Sequence, residues 1–413
     1  MKAALKIDPR LVERYLLELA RHGAHGETGV SRPVYSPQWI AAQDQVAMWC
    51  SEAGLEVRRD AVGNVWGRLA GSQQTGAIVT GSHIDSQTPG GRYDGALGVV
   101  AALVAIRMLK ETFGTPRHPI EALSLCEEEE TRFHANFWGS RAIAGQIRLD
   151  EVDEIRESGG ASIGEVMGLV GLDPARIRDA ARKDIDAFLE LHIEQGPLLE
   201  DANLPVGIVN AITGLRHYVV EIIGRADHAG ARPMRSRLDP MAAAAEIISG
   251  VIDGAIRMGP PAVTTVGTMK VEPNLTAAVP DRVTFTIDAR HPDPESLALL
   301  YAHHASHIRS VAERRGLKAT WTIVLDRPPC PCDPQLVALL ERTARAQGVP
   351  FLPMHSGAGH DSQQMAEVAK VAMIFVRSVG GRSHTPAEFT TIDDAVAGIT
   401  VLAGALHELS YNS

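Results

Sequence analysis

Three short apolar runs, Ala77-Ile78-Val79-Thr80, Ile120 to Leu125 and Phe188 to Ile193, each lead within a few residues into histidine or carboxylate. Between the first two lies a helical stretch rich in Ala, Val and Leu, from Ala96 to Leu109. Apolar strands this short, alternating with helices, are buried on both faces. They predict an α/β fold with a mostly parallel central sheet and helices on each side. Ligands in such sheets gather at the carboxyl ends of the strands, where these polar residues fall.

The rest of the chain extends this pattern and then interrupts it. Leu11 to Arg21 is amphipathic, and Ser36-Pro37 is an N-cap and first-turn proline opening a helix that Gly54 closes. From His217 to Leu325 the order is strand (218–223), helix from Asp239-Pro240, strand (263–271), strand (283–289), helix (295–315), strand (318–324). That β-α-β-β-α-β order predicts an inserted α+β, ferredoxin-like domain. Pro328-Pro329-Cys330-Pro331 reads as the return hinge. A helix over 335–347, a strand over 371–376 and a helix over 392–407 resume the first texture. The expected division is a discontinuous domain of 1–212 and 327–413 and an inserted domain of 213–326.

Composition narrows the function. Fifty acidic against forty basic residues give a net charge of −10, which disfavours binding to nucleic-acid phosphates. No apolar run reaches the roughly 20 residues of a membrane helix, and the start of the chain carries no export-signal pattern. The four cysteines, Cys50, Cys126, Cys330 and Cys332, form no redox or zinc-ribbon motif and read as reduced thiols of a cytoplasmic protein.

Sixteen histidines are more informative, because several stand beside carboxylates at strand ends. His83, Asp85 and Asp94 cluster in GSHIDSQTPGGRYDG, where Asp94 could equally cap the helix that follows. Glu128 and Glu129 follow the second strand directly. An acidic run is usually a solvated face, but this one sits at the mouth of a sheet. His192 and Glu194 stand two apart in LHIEQGP, on one face of a strand. His384 follows a further strand in GGRSHTPAEF. Mixed imidazole and carboxylate donors suit zinc and accommodate manganese or cobalt. Two adjacent metals would need a bridging carboxylate, for which Asp94 is suitably placed. One glutamate of the 128/129 pair would remain as a general base toward water.

Taken together, GSHID…GGRYDGALG, CEEEETRF, FWGSRA, ELHIEQGP, DHAGARPM, SGAGHDSQQMA and GGRSHTPAEF resemble the hydantoinase/carbamoylase amidase family over residues 36 to 410. This family belongs to the zinc aminoacylase and carboxypeptidase-like superfamily. The resemblance implies two divalent metal ions, one held by His83 and His192, the other by Glu129 and His384, with Asp94 bridging. It makes Glu128 the general base and Asp85 the carboxylate that orients His83. It makes the inserted domain a lid and the surface of a homodimer, with His228 stabilising an oxyanion. Gln195 and Arg290 match substrate-contacting positions, Arg290 as a bidentate partner for a carboxylate; read alone, Arg290 is equally a surface ion pair. The implied reaction is hydrolysis of a C–N bond in a small ureido acid such as an N-carbamoyl-L-amino acid or allantoate, releasing ammonia and carbon dioxide. The alternative is an aminoacylase or dipeptidase acting on a plain N-acyl amino acid. A binding protein without catalysis is disfavoured, because all five candidate ligands and a base occur together.

Two departures from the family pattern stand out. Glu130 replaces a glycine. In PNLTAAVPD, Ala277 stands where a substrate-contacting asparagine is usual, while Asn274 is retained, which leaves the natural substrate open. Trp138, in FWGS, leans toward allantoate or is simply a packed aromatic. Gly357-Ala358-Gly359 could offer backbone N–H groups to substrate, Gly359 among them. His360-Asp361 could line a cleft or close a turn, and His217, His291 and His355 receive no role.

Overall fold

Aspartate or serine followed by proline opens one helix after another. Asp8 caps Pro9–Ala20, Ser36 caps Pro37–Glu52, Asp239 caps Pro240–Met258, Asp293 caps Pro294–Arg314 and Asp333 caps Pro334–Gln347. In each case the capping side chain accepts an N–H of the first turn, and proline occupies the position whose missing N–H costs nothing. The computed structural model describes residues 5–73 and 76–412.

The chain divides into two compact units. The first comprises Met1–Asn210, Cys332–Met354 and His360–Ser413. Its sheet runs in the order Val206–Ile212, Lys370–Val376, Ile185–Ile193, Ala77–His83, Ile120–Leu125, Val65–Leu69, Glu56–Arg59. The four strands from Lys370–Val376 to Ile120–Leu125 pair in parallel, and antiparallel strands flank them on both sides. The mostly parallel centre agrees with the strand pattern, since Ala77–His83 and Ile120–Leu125 are buried throughout. Helix Ala96–Phe113 packs on this sheet and is buried without a break from Ala96 to Ile106, as its unbroken apolar sequence requires. Helix Ile392–His407 lies beside it.

The second unit comprises Ala211–Pro331 and His355–Gly359. Its antiparallel sheet has the order Val263–Thr265, Arg282–His291, Gly214–Ile223, Lys318–Arg327, and Met269–Glu272 also pairs with Arg282–His291. The single strand expected over 263–271 is thus two segments. Between them Thr268 bonds to Thr286 through both its carbonyl and its amide N–H, which interrupts the ladder. Helices Pro240–Met258 and Pro294–Arg314 enclose a core of Tyr218, Val220, Ile247, Val251, Phe285 and Ile308. The expected division did not place 355–359 in this unit. They belong to it because Ser356 accepts the Thr213 N–H at 2.9 Å and Gly357 accepts from Arg290 at 2.9 Å. Among the described residues no helix is long and apolar enough to cross a membrane.

Candidate metal centre

In the first unit, His83 is the last residue of Ala77–His83, and His192 is the penultimate residue of Ile185–Ile193. His83 Nδ1 faces the Asp85 carbonyl at 3.1 Å, and His192 Nδ1 faces the Ile193 carbonyl at 2.9 Å. A carbonyl can only accept, so both rings are protonated at Nδ1 and turn Nε2 to the centre, where His192 Nε2 also accepts the Gly95 N–H at 3.2 Å. Asp94 meets them from the following loop. Its Oδ1 lies 3.1 Å from His192 Nε2 and 3.5 Å from His83 Nε2. Its Oδ2 lies 3.5 Å from His384 Nε2, which is itself 3.5 Å from Glu129 Oε2.

Two three-residue donor groups therefore share Asp94: His83, Asp94 and His192, and Asp94, Glu129 and His384. A tetrahedral zinc ion with bonds of about 2.0–2.1 Å has donor–donor edges of roughly 3.3 Å, which the separations above bracket. His83 Nε2 is buried and makes no hydrogen bond. An imidazole lone pair left so is costly unless a cation takes it, and the donors fit such a cation.

Asp94 does not cap the helix. Gly95 is the capping residue, at φ +61°, and no side chain caps the first turn. This glycine is a steric requirement. A Cβ there would stand 2.4 Å from the His83 ring, and the left-handed backbone is one that side chains resist.

The acidic run after Ile120–Leu125 is not a solvated face. Glu127 turns inward, fully buried, and accepts the Phe133 N–H at 2.8 Å. Glu128 Oε2 lies 3.8 Å from His83 Nε2. Burial pushes the Glu128 carboxyl well above its usual range, with His83 opposing and Glu129 adding to the shift. Burial and Asp94 push Glu129 up to about 8. Burial also opposes a charge on His83, but Glu128, Asp94 and Asp85 outweigh it and hold its pKa well above normal. Crowded carboxylates around two imidazoles are the electrostatic setting in which a divalent cation is most stabilising.

Asp85 acts differently from the expectation. Its carbonyl, not its carboxylate, orients His83; the carboxylate Oδ1 is 3.8 Å from His83 Nδ1, while Oδ2 accepts the Glu129 N–H at 3.0 Å. Glu194 shares no donor group with His192. Its oxygens accept the N–H groups of Leu198 and Leu199 and so cap the short helix Leu198–Asp201. Gln195, at φ +60°, donates from Nε2 to Asp94 Oδ2 at 2.8 Å and lies 3.4 Å from His384 Nε2. Trp138 is fully buried at the start of Trp138–Ile143, a packing position. The His360 ring meets that of His192 edge-on at 4.6 Å, and Asp361 accepts from Ser140 at 2.5 Å. Burial, then Glu190, raises Asp361 to about 7.

In the second unit, His228 is exposed, and its Nδ1 accepts the N–H groups of Gly230 and Ala231, each at 3.1 Å. This leaves Nε2 as a proton donor. His228 pairs with Ala278, and the Ala277 carbonyl accepts the Ala229 N–H at 2.9 Å, so Ala277 flanks the histidine through its backbone. Asn274 is exposed on the same loop, at φ +57°. Arg290 is held by Asp288, whose Oδ2 accepts from Nη2 at 2.9 Å, and by the Gly357 carbonyl. Asp288 also meets His217 Nε2 at 2.5 Å. Gly359 closes the 355–359 segment of this unit.

Sequence reasoning missed three residues of the first unit. Gln87 donates to Glu129 Oε2 at 2.7 Å. Ser383 donates to Asp94 Oδ2 at 2.6 Å. Glu388 accepts the N–H groups of Tyr93 and Asp94, each at 2.9 Å. Gln87 and Ser383 sit inside motifs already singled out, but a neutral amide or hydroxyl there gives no signal of its own.

Comparison with known proteins finds relatives over nearly the whole chain. The model of Peptidase family M20/M25/M40 matches residues 79–408. Allantoate amidohydrolase of Bacillus subtilis is 39% identical over 96% of this chain and 97% of its own. N-carbamoyl-L-amino acid amidohydrolase of Geobacillus stearothermophilus is 40% identical over 97% and 98%. The crystal structure of an amidase of the hydantoinase/carbamoylase family from Burkholderia multivorans superposes with a TM-score of 0.91 at 34% identity, covering 97% of this chain and 98% of that one.

Proposed function

The chain belongs to peptidase family M20/M25/M40, and from that premise we propose that it is a metal-dependent amidohydrolase cleaving the C–N bond of a small ureido acid. An N-carbamoyl-L-amino acid or allantoate would be the substrate, and ammonia and carbon dioxide the products. Near-full-length likeness to amidohydrolases of both kinds supports the reaction class. The observation that carries the metal reading is Asp94, which turns one oxygen to the His83–His192 pair and the other toward His384 and Glu129.

In this reading His83, His192, Glu129, His384 and the shared Asp94 would hold two divalent ions, zinc first by the chemistry of the donors and manganese or cobalt as alternatives. Bound there, they supply Lewis acidity toward the ureido carbonyl and lower the pKa of water. Glu128 takes a proton from the attacking water and later gives it to the leaving nitrogen. Its carboxylate Oε2 stands 3.8 Å from His83 Nε2, beside the donor groups, where a proton can be taken and returned. The Asp85 carbonyl keeps His83 in the ligating tautomer, and the Asp85 carboxylate anchors the Glu129 backbone. His228 donates from Nε2 to the oxyanion. Gln195, Arg290, Asn274 and Gly359 are assigned to substrate, Arg290 for its fork geometry toward a carboxylate.

The same reading makes the protein a cytoplasmic homodimer that associates through the second unit. Strand Lys318–Arg327 lies at the end of that unit's sheet order and exposes Val324 at 62% and Ile323 at 41%, an apolar edge that a second copy would cover.

The test is ammonia release by metal-reconstituted protein from allantoate, N-carbamoyl-L-amino acids, N-carbamoyl-β-alanine and N-acyl amino acids, with chelated controls. Metal-dependent ammonia from a ureido compound is expected. Amine release from an N-acyl substrate, without ammonia, would move the protein to the aminoacylases.

A further inference from the structure

We propose that Glu388 is a positioning residue that locks the Asp94 turn to the His384 loop and so sets the affinity of the metal held between them. The inference rests on the two-metal reading above. Glu388 is 3% exposed and 294 residues distant in sequence from Asp94. Its Oε1 accepts the consecutive N–H groups of Tyr93 and Asp94, each at 2.9 Å. Its Oε2 lies 3.0 Å from the Ser383 hydroxyl, which donates to Asp94 Oδ2 at 2.6 Å. Ser383 immediately precedes His384. One carboxylate therefore grips the backbone that carries Asp94 and, through Ser383, both the Asp94 carboxylate and the residue next to His384.

The turn is shaped around this carboxylate. A Cβ on Gly91 would lie 2.1 Å from Glu388 Oε1, so the chain passes where only glycine leaves room. No lysine or arginine hydrogen-bonds to Glu388 among the described contacts. Its Oε1 is spent on the ligand-bearing backbone, and the single Ser383 hydroxyl hydrogen is shared between Asp94 Oδ2 and Glu388 Oε2. The geometry at stake is narrow: His384, at φ +57°, is half-exposed and reaches Asp94 Oδ2 and Glu129 Oε2 each at 3.5 Å. The His83–His192 pair is held instead by the Asp85 and Ile193 carbonyls. Loss of Glu388 should therefore weaken the metal at Glu129 and His384 most, and the other, which shares Asp94, less.

Metal-free wild type, E388A, E388Q and S383A are titrated with Zn2+ against a competing chromophoric chelator, and with Co2+ followed by its visible ligand-field bands. Wild type is expected to take up two equivalents. E388A should bind one equivalent about 10–100-fold more weakly, the usual effect of removing a group that orients a ligand, and the other, which shares Asp94, with a smaller loss, the Co2+ bands changing most for the weakened equivalent. E388Q should stay within a few-fold of wild type, because its amide oxygen accepts the same two N–H groups. Should E388A not fold, S383A decides: a weakened second equivalent with an unchanged metal-free melting temperature supports the inference, and unchanged affinity overturns it. Two wild-type-like equivalents in E388A also overturn it while leaving the two-metal reading intact. Fewer than two equivalents in wild type overturns both.

Discussion

Gln87 donates its side-chain amide to Glu129 Oε2 at 2.7 Å, so a residue of the His83 loop holds a donor that enters from the next strand. The Glu129 backbone is tied to the same loop through the Asp85 carboxylate. Replacing Gln87 with leucine keeps the bulk and removes the donor. Q87L should weaken one metal equivalent by about 10-fold or more with little change in melting temperature. Chelator competition beside thermal unfolding measures both.

Glu128 should separate chemistry from metal binding. E128Q keeps size and removes the base, so turnover on the responsive ureido substrate should fall by roughly 10²–10⁴-fold at unchanged metal content. Steady-state kinetics with elemental analysis of the same sample reads this directly; near-normal turnover would refute the assignment.

Gly95 tests the packing of the centre. In G95A the new methyl would lie 2.4 Å from the His83 ring on a backbone at φ +61°. Displacement of that ring should cost the metal shared by His83 and His192, and stability should drop by about 1–3 kcal/mol. Urea denaturation and metal content are the measurements, and a variant that binds two metals normally would show that the ring has room.

His228 tests the oxyanion role. H228A should lower turnover by about 10²–10³-fold and leave metal content unchanged, because no metal-donor group includes it. Loss of metal in this variant would make His228 a ligand or an element of the fold.

His304 predicts a pH dependence of stability. It is fully buried in the second unit, against Tyr218 and Thr264, and burial, then His303, lowers it from 6.5 to about 4. The unfolded chain therefore binds this proton more readily than the folded one. The stabilising effect of a neutral His304 is complete above pH 6.5 and is lost as pH falls from there through about 4. The loss is on the order of 3 kcal/mol. H304N should flatten the difference between unfolding midpoints measured at pH 7.5 and pH 5; an equally steep dependence in the variant would place its origin elsewhere.

Much of this was legible in the chain because local chemistry dictates it. Aspartate or serine before proline starts helices wherever it occurs, and unbroken apolar runs such as Ala77–Val79 are tolerable only inside a sheet buried on both faces. The strand-end positions of His83, Glu129 and His192 follow from those runs. The two-residue alternation that set His192 and Glu194 on one face ended at Ile193, beyond which Glu194 was free to cap a helix.

The sequence by itself determined the strand and helix order, the αβ-layered class of the first unit and the residue types able to hold a metal, since period and capping are properties of neighbours along the chain. Only the tertiary structure decided that Asp94 faces two donor pairs rather than a helix end, that a carbonyl instead of a carboxylate orients His83, and that Gln87, Ser383 and Glu388 support the ligands. Those are contacts between residues up to 295 positions apart, formed at the carboxyl ends of the parallel strands, and no local preference of a glutamine, serine or glutamate encodes them.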